Sequence, residues 1–136
     1  MEISQPGSIQ YSSEVLKRAE RALRCSPFRM KLLEDMRSQS ISLNAIKDDQ
    51  GSYNGYTQKP LSELSADDQL TWLMSVGVLR REVDGQGLTD SFRLTPLGRQ
   101  LLNRWKAQGH PDWSASLLDY LHDAANRWLR LPNWLS

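Results

Sequence analysis

One cysteine and two histidines are all that 136 residues supply of the thiol and imidazole side chains, which serve both as metal ligands and as reactive groups. A lone Cys25 excludes an internal disulfide and fits a reducing compartment. It stands where two elements meet, with neither histidine near it in sequence, and reads as a small packing residue rather than a nucleophile. No His/Cys/Asp cluster has metal-ligand spacing, and neither a phosphate-cradling glycine loop nor a nucleophile elbow occurs. The adjacent carboxylates Asp48–Asp49 and Asp67–Asp68 are neighbours in sequence and need not converge in space. Residues 48–56 hold acids and glycines, but not with the spacing of an EF-hand, whose bidentate glutamate is missing. Catalysis, a metal, a cofactor and a small-molecule substrate therefore find no support.

Long apolar runs are also lacking. No stretch approaches the roughly 18–20 residues that a membrane span needs. The beginning, Met-Glu-Ile-Ser-Gln-Pro-Gly, has neither a basic start nor an apolar core, so no secretory signal is visible and the cytoplasm is the expected location. Net charge is only +1, yet its sign varies along the chain. Residues 1–40 carry seven bases against five acids, residues 41–79 two against five, residues 80–106 six against three, and residues 107–136 two against three.

What is present is 39% apolar residues with five tryptophans, ordinary for a single soluble globular domain able to bury a real core. The clearest local signals lie between Ser65 and Trp105. Ser65 reads as an N-cap, with Asp67 and Asp68 in the first turn where carboxylates meet free N–H groups. Gly77 reads as the stop. Val78–Val83 reads as a strand, Asp84-Gly85-Gln86-Gly87 as a turn supplying positive-φ residues, and Leu88–Leu94 as the returning strand. Thr95-Pro96 then starts a helix on which Leu97, Leu101 and Trp105 share a face.

Leu73-Met74-Ser75-Val76-Gly77-Val78-Leu79-Arg80-Arg81, then Asp84-Gly85, then Phe92-Arg93-Leu94-Thr95-Pro96-Leu97-Gly98-Arg99 together resemble the winged-helix superfamily over about residues 27–106. The resemblance implies a recognition helix, a glycine, a strand, a wing and a second strand ending in Leu-Thr-x-x-Gly. The whole chain is also similar to a small uncharacterised family of cyanobacterial winged-helix-like proteins, which supplies no activity. The expected fold is thus α+β and mostly helical, a winged-helix core with a β-hairpin wing, an added N-terminal helix and a long C-terminal helix. Its parts are a loose lead-in over 1–10, a helix over 11–25, the core over 26–106, and the last helix with its tail over 112–136, all in one domain.

Ser12 or Ser13 caps the first helix, which runs to about Arg24 with Val15, Leu16, Ala19, Ala22 and Leu23 as its apolar stripe. Its bases, with Arg29 and Lys31, read as a solvated face. Ser26-Pro27 reads as the next start, with Phe28, Leu32, Leu33 and Met36 buried. Ile41, Leu43 and Ile46 fit either a strand or a helical turn, and Asp48–Tyr56 reads as a surface loop packed down by Tyr53 and Tyr56. Only Pro60–Leu64, about one turn, is left for the helix that should precede a recognition helix, with Leu61 and Leu64 packed.

On the would-be recognition helix, Ala66, Leu70, Leu73 and Met74 gather on one side, flanked by Trp72 and Val76. The opposite face presents Asp67, Asp68, Thr71 and Ser75 and no base. Phosphate contacts dominate DNA affinity, so a face with two carboxylates repels what it must approach. The hairpin suits nucleic acid better, through Arg80, Arg81 and Arg93, with Arg99 on the following helix and Thr71 and Ser75 as neutral contacts. The C-terminal helix carries an unusually wide apolar arc, in which Leu118, Ala125 and Leu129 widen a main stripe that ends at Trp128, and Trp134 belongs to a further apolar tail. It either wedges between core and N-terminal helix or holds a partner. Winged-helix regulators often dimerise through added terminal helices, so the resemblance implies a homodimer. The expected function is a non-enzymatic adaptor or regulatory module working through protein–protein contacts at these residues and at Asp67 and Asp68. The alternative is a double-stranded DNA-binding regulator using the basic wing.

Overall fold

Four helices begin on a serine or threonine whose side-chain oxygen accepts from a backbone N–H three residues on. The pairs are Ser12 with Val15, Ser42 with Ala45, Ser62 with Ser65, and Thr95 with Gly98, at 3.1–3.3 Å. Such caps satisfy donors that the first helical turn leaves unpaired. The computed structural model describes residues 10–108, 123–125 and 127. Its elements are α1 (Ser13–Cys25), α2 (Met30–Met36), β1 (Ile41–Ser42), α3 (Leu43–Ile46), α4 (Asp48–Tyr53), α5 (Glu63–Ser75), β2 (Leu79–Asp84), β3 (Gly87–Leu94) and α6 (Pro96–Ala107). The chain is a mixed α+β, mostly helical protein with a small antiparallel sheet in the order β1-β3-β2.

The core gathers Leu32, Leu33 and Met36 from α2, Ile46 from α3, and Leu70 and Leu73 from α5. Phe28, Val76, Val78, Phe92 and Leu102 complete it, all within 2% of full burial. α1 lays its expected stripe, Ala19, Ala22 and Leu23, against α5 and α6. Gly77 closes α5 at φ +89°, a backbone that a side chain would strain. α6 begins at the expected Thr95-Pro96, and the Thr95 hydroxyl also reaches the Val78 carbonyl at 2.8 Å. That one oxygen ties the start of α6 to the approach to β2.

Several expectations need correction. α5 starts at Glu63 on a Ser62 cap, so Ser65 lies inside the first turn and Leu64 is exposed rather than packed. α2 starts at Met30, not at Ser26-Pro27. Ser26 instead ends α1, its hydroxyl donating to the Leu23 carbonyl at 2.8 Å. Phe28 forms a bridge with Thr57, and the Arg29 N–H donates to the Tyr56 carbonyl at 2.8 Å, pulling the segment out of helix. The expected loop at 48–56 contains α4, and Gly51 is the reason it fits. A Cβ there would stand 1.9 Å from the Ile46 carbonyl oxygen. Helical backbone therefore does precede α5, in α3 and α4, and Pro60–Leu64 forms no separate turn, since Glu63 and Leu64 belong to α5. Tyr56 is buried as expected and donates to Asp35 at 2.7 Å, whereas Tyr53 is exposed. Burial, then the bond to Asp35 and its charge, push the Tyr56 hydroxyl up to about 12. At the hairpin only Gly87 takes positive φ, and the strands sit within a residue of the expected bounds, with a bulge between Arg81 and Val83.

Candidate functional site

Of the residues proposed from sequence for nucleic acid, Arg80, Arg81 and Arg93 are brought together on the hairpin and paired with carboxylates there. Arg80 and Glu82 stand two apart on β2, on the same side of the sheet, and Arg93 lies opposite Arg80 in the β2–β3 register. Glu82 consequently holds both arginines, at 3.5 Å from Arg80 and 3.1 Å from Arg93. Arg81 faces the other way. Its guanidinium lies 5.0 Å from the Phe92 ring centroid, donates to the Thr89 carbonyl, and pairs with Asp90 at 3.3 Å and Asp67 at 3.6 Å. Arg81 thereby fastens the hairpin to α5. Arg99 is used differently again, donating at 3.1 Å to the Arg37 carbonyl at the end of α2, where helical carbonyls lack partners.

On α5, Thr71 is exposed, and Ser75 folds its hydroxyl back onto the Thr71 carbonyl at 3.0 Å. The polar face has the expected composition, but it is not free. Residues 123–125 and 127 are helical, and Asp123 and Arg127 reach its Asp68–Trp72 edge. The buried Trp72 indole N–H donates to Asp123 Oδ1 at 3.0 Å. Arg127 pairs with Asp68 at 3.2 Å, and its guanidinium sits 5.2 Å from the Trp72 ring centroid. Asp67 and Asp68, expected to face a partner, are both engaged within the chain.

Asp123 is only 6% exposed, and burial raises its carboxyl above the ordinary carboxylate value. The Trp72 hydrogen bond and the charges of Arg127 and Arg21 work the other way. Asp123 thus meets α5 through Trp72 and feels the charge of Arg21 on α1. Of the expected partner contacts, Ala125 is exposed, as is Ala124. Leu118, Trp128, Leu129 and Trp134 lie outside the described residues.

The pairing of Asp123 and Arg127 with α5 was missed in the sequence. Two signals pointed to it: a tryptophan on a helix flank, whose N–H needs an acceptor once buried, and an acid and a base spaced i,i+4. The hairpin tip leaves a cross-strand apolar pair uncovered, Val83 at 60% and Leu88 at 74% exposure. A cleft of about 400 Å³ also runs along α1, lined by Ser12, Glu14, Val15, Lys17, Arg18 and Arg21. No helix among the described residues is long and apolar enough to cross a membrane.

These features define a small, mostly helical α+β protein whose hairpin arginines are paired with carboxylates. Residues 9–127 match the model of the Npun_F0494-like family, a family with a cyanobacterial name, and the chain belongs to it. No curated protein and no solved structure matches the chain.

Proposed function

We propose that the chain is a non-enzymatic winged-helix module that acts through protein–protein contacts. The winged-helix reading draws on the order α2, β1, α3–α4, α5, β2, β3, on the sheet order β1-β3-β2, and on the hairpin standing where a wing would stand. The observation that carries the protein-binding reading is the state of the hairpin arginines. Arg80, Arg81 and Arg93 each meet a carboxylate, and α5 offers no base on its polar face. A surface that binds duplex DNA gains affinity by replacing counterions with free cations, and these cations are already committed. Exposed Val83 and Leu88 at the tip favour an apolar partner surface, including that of a second copy.

The competing reading, a double-stranded DNA regulator led by the wing, has one observation in its favour. The Arg80 side chain is 52% exposed, and its pairing with Glu82 at 3.5 Å is loose. Exposed pairs of this kind contribute little and yield to a phosphate. Titration of a random-sequence duplex at low and at physiological salt, with light scattering in the same buffer, decides between them. Protein binding predicts no retention of DNA at low salt. Salt-sensitive retention abolished by Arg80→Ala/Arg81→Ala overturns it.

A further inference from the structure

The Asp68–Trp72 edge of α5 is occupied by the chain's own residues. Asp68 and Trp72 stand four apart on α5, and Asp123 and Arg127 stand four apart on the segment opposite, a spacing that sets each pair on one helical face. The match is reciprocal: the tryptophan donates to the aspartate, and the arginine pairs with the other aspartate while covering the ring. The centre is dry, with Trp72 and Asp123 each 6% exposed, while the Asp68 side chain at the edge is 70% exposed. A buried aromatic anchor bordered by an exposed ion pair is the anatomy of an interface between partners. Ala124 and Ala125 of the same segment are exposed.

We propose that this surface is a helix-docking site which Asp123 and Arg127 fill in cis. Its external ligand is a helix carrying a carboxylate and, four residues later, a guanidinium, the pattern of the resident segment itself. The inference rests on the protein-binding reading above and names the surface and its control. The resident segment competes at the high effective concentration that covalent attachment provides. An outside helix therefore binds only in proportion to the chains whose segment has left. Weakening the segment increases that fraction without altering α5.

The test uses the full chain and, as probe, a labelled synthetic peptide of residues 119–131. Asp123→Ala/Arg127→Glu in the chain removes the buried acceptor and reverses the charge at the edge, leaving Asp68 and Trp72 in place. Fluorescence anisotropy is expected to show the peptide binding this variant on the order of tenfold more tightly than the unaltered chain. Adding Asp68→Arg to the opened chain abolishes that gain, and a peptide bearing Arg127→Glu restores it. Equal affinity for opened and unaltered chains, binding to neither, or equal binding of a control peptide with Asp123 and Arg127 exchanged overturns the proposal. The duplex titration is independent. DNA retention there defeats the protein-binding reading, whereas peptide failure on the opened chain defeats the docking site alone.

Discussion

The hairpin and the outer face of α5 both carry opposed charges, yet they are held together in different ways. On the hairpin two of the pairs have a side open to water. Asp90 is 83% exposed where it meets Arg81, and Arg80 is half exposed where it meets Glu82. Water and salt compete for such pairs, which contribute about 0–1 kcal/mol each. On α5 the ion pair is also exposed, but it borders a hydrogen bond between two buried groups. A bond of that kind to a charged acceptor contributes about 1.5–3 kcal/mol, and losing one partner strands the other. Similar charges thus make a solvated ornament in one place and a specific contact in the other. Burial of the neighbour decides which.

The sharpest way to break the contrast is at Trp72. Trp72→Ala empties a buried aromatic site and is expected to cost about 3–5 kcal/mol in urea unfolding. Trp72→Phe keeps most of the ring and leaves Asp123 buried without its donor, for about 1–3 kcal/mol. A loss below half a kcal/mol for Trp72→Phe would place that bond in the same class as the hairpin pairs. Next in size, a double-mutant cycle on Asp68 and Arg127 should return a coupling of about 0.5–1 kcal/mol, because both side chains keep contact with water. Arg81→Ala is expected to cost about 1 kcal/mol, since its stem and guanidinium also cover Phe92, against less than about 0.5 kcal/mol for Arg80→Ala. Raising salt should narrow the hairpin values and leave that of Trp72→Phe nearly unchanged.

Acidity supplies the smallest and most selective probe. Folding raises the Asp123 carboxyl above its ordinary 3.8, so the native state holds this proton more firmly than the unfolded chain does. The resulting stabilisation is fully present below that ordinary value and is lost as pH rises through the raised native one. Urea midpoints should therefore show a downward step with rising pH in the mildly acidic range, and Asp123→Asn should remove it. A step that survives Asp123→Asn would assign the titration elsewhere.

What was legible in the sequence was whatever a few adjacent residues decide. Thr95-Pro96 begins α6 and Gly77 ends α5 because a cap, a fixed φ and a positive φ act within one turn. Residues 26–56 were misread because distant partners decide them. Ser26-Pro27 has the chemistry of a helix start, but Arg29 is drawn to the Tyr56 carbonyl and Phe28 to Thr57. Gly51 has the look of a loop residue, yet it is the contact that lets α4 close on α3. At the candidate site, the hairpin arginines and the acidic face of α5 could be found by composition and wheel position. Their mutual pairing could not, and neither could the approach of Asp123, because both need the register of elements far apart in the chain.

That separation has a consequence for the chain while it is being made. Thr95 reaches back 18 residues to Gly77, but Trp72 waits 51 residues for Asp123, and Asp68 waits 59 for Arg127. Synthesis runs from the N-terminus, and segments already made begin to fold before the rest exists. Every element from α1 to α6 is thus complete before the residues that cover Trp72 have been joined. During that interval the newborn chain shows an indole that the finished one hides, and a helix arriving then meets no competitor.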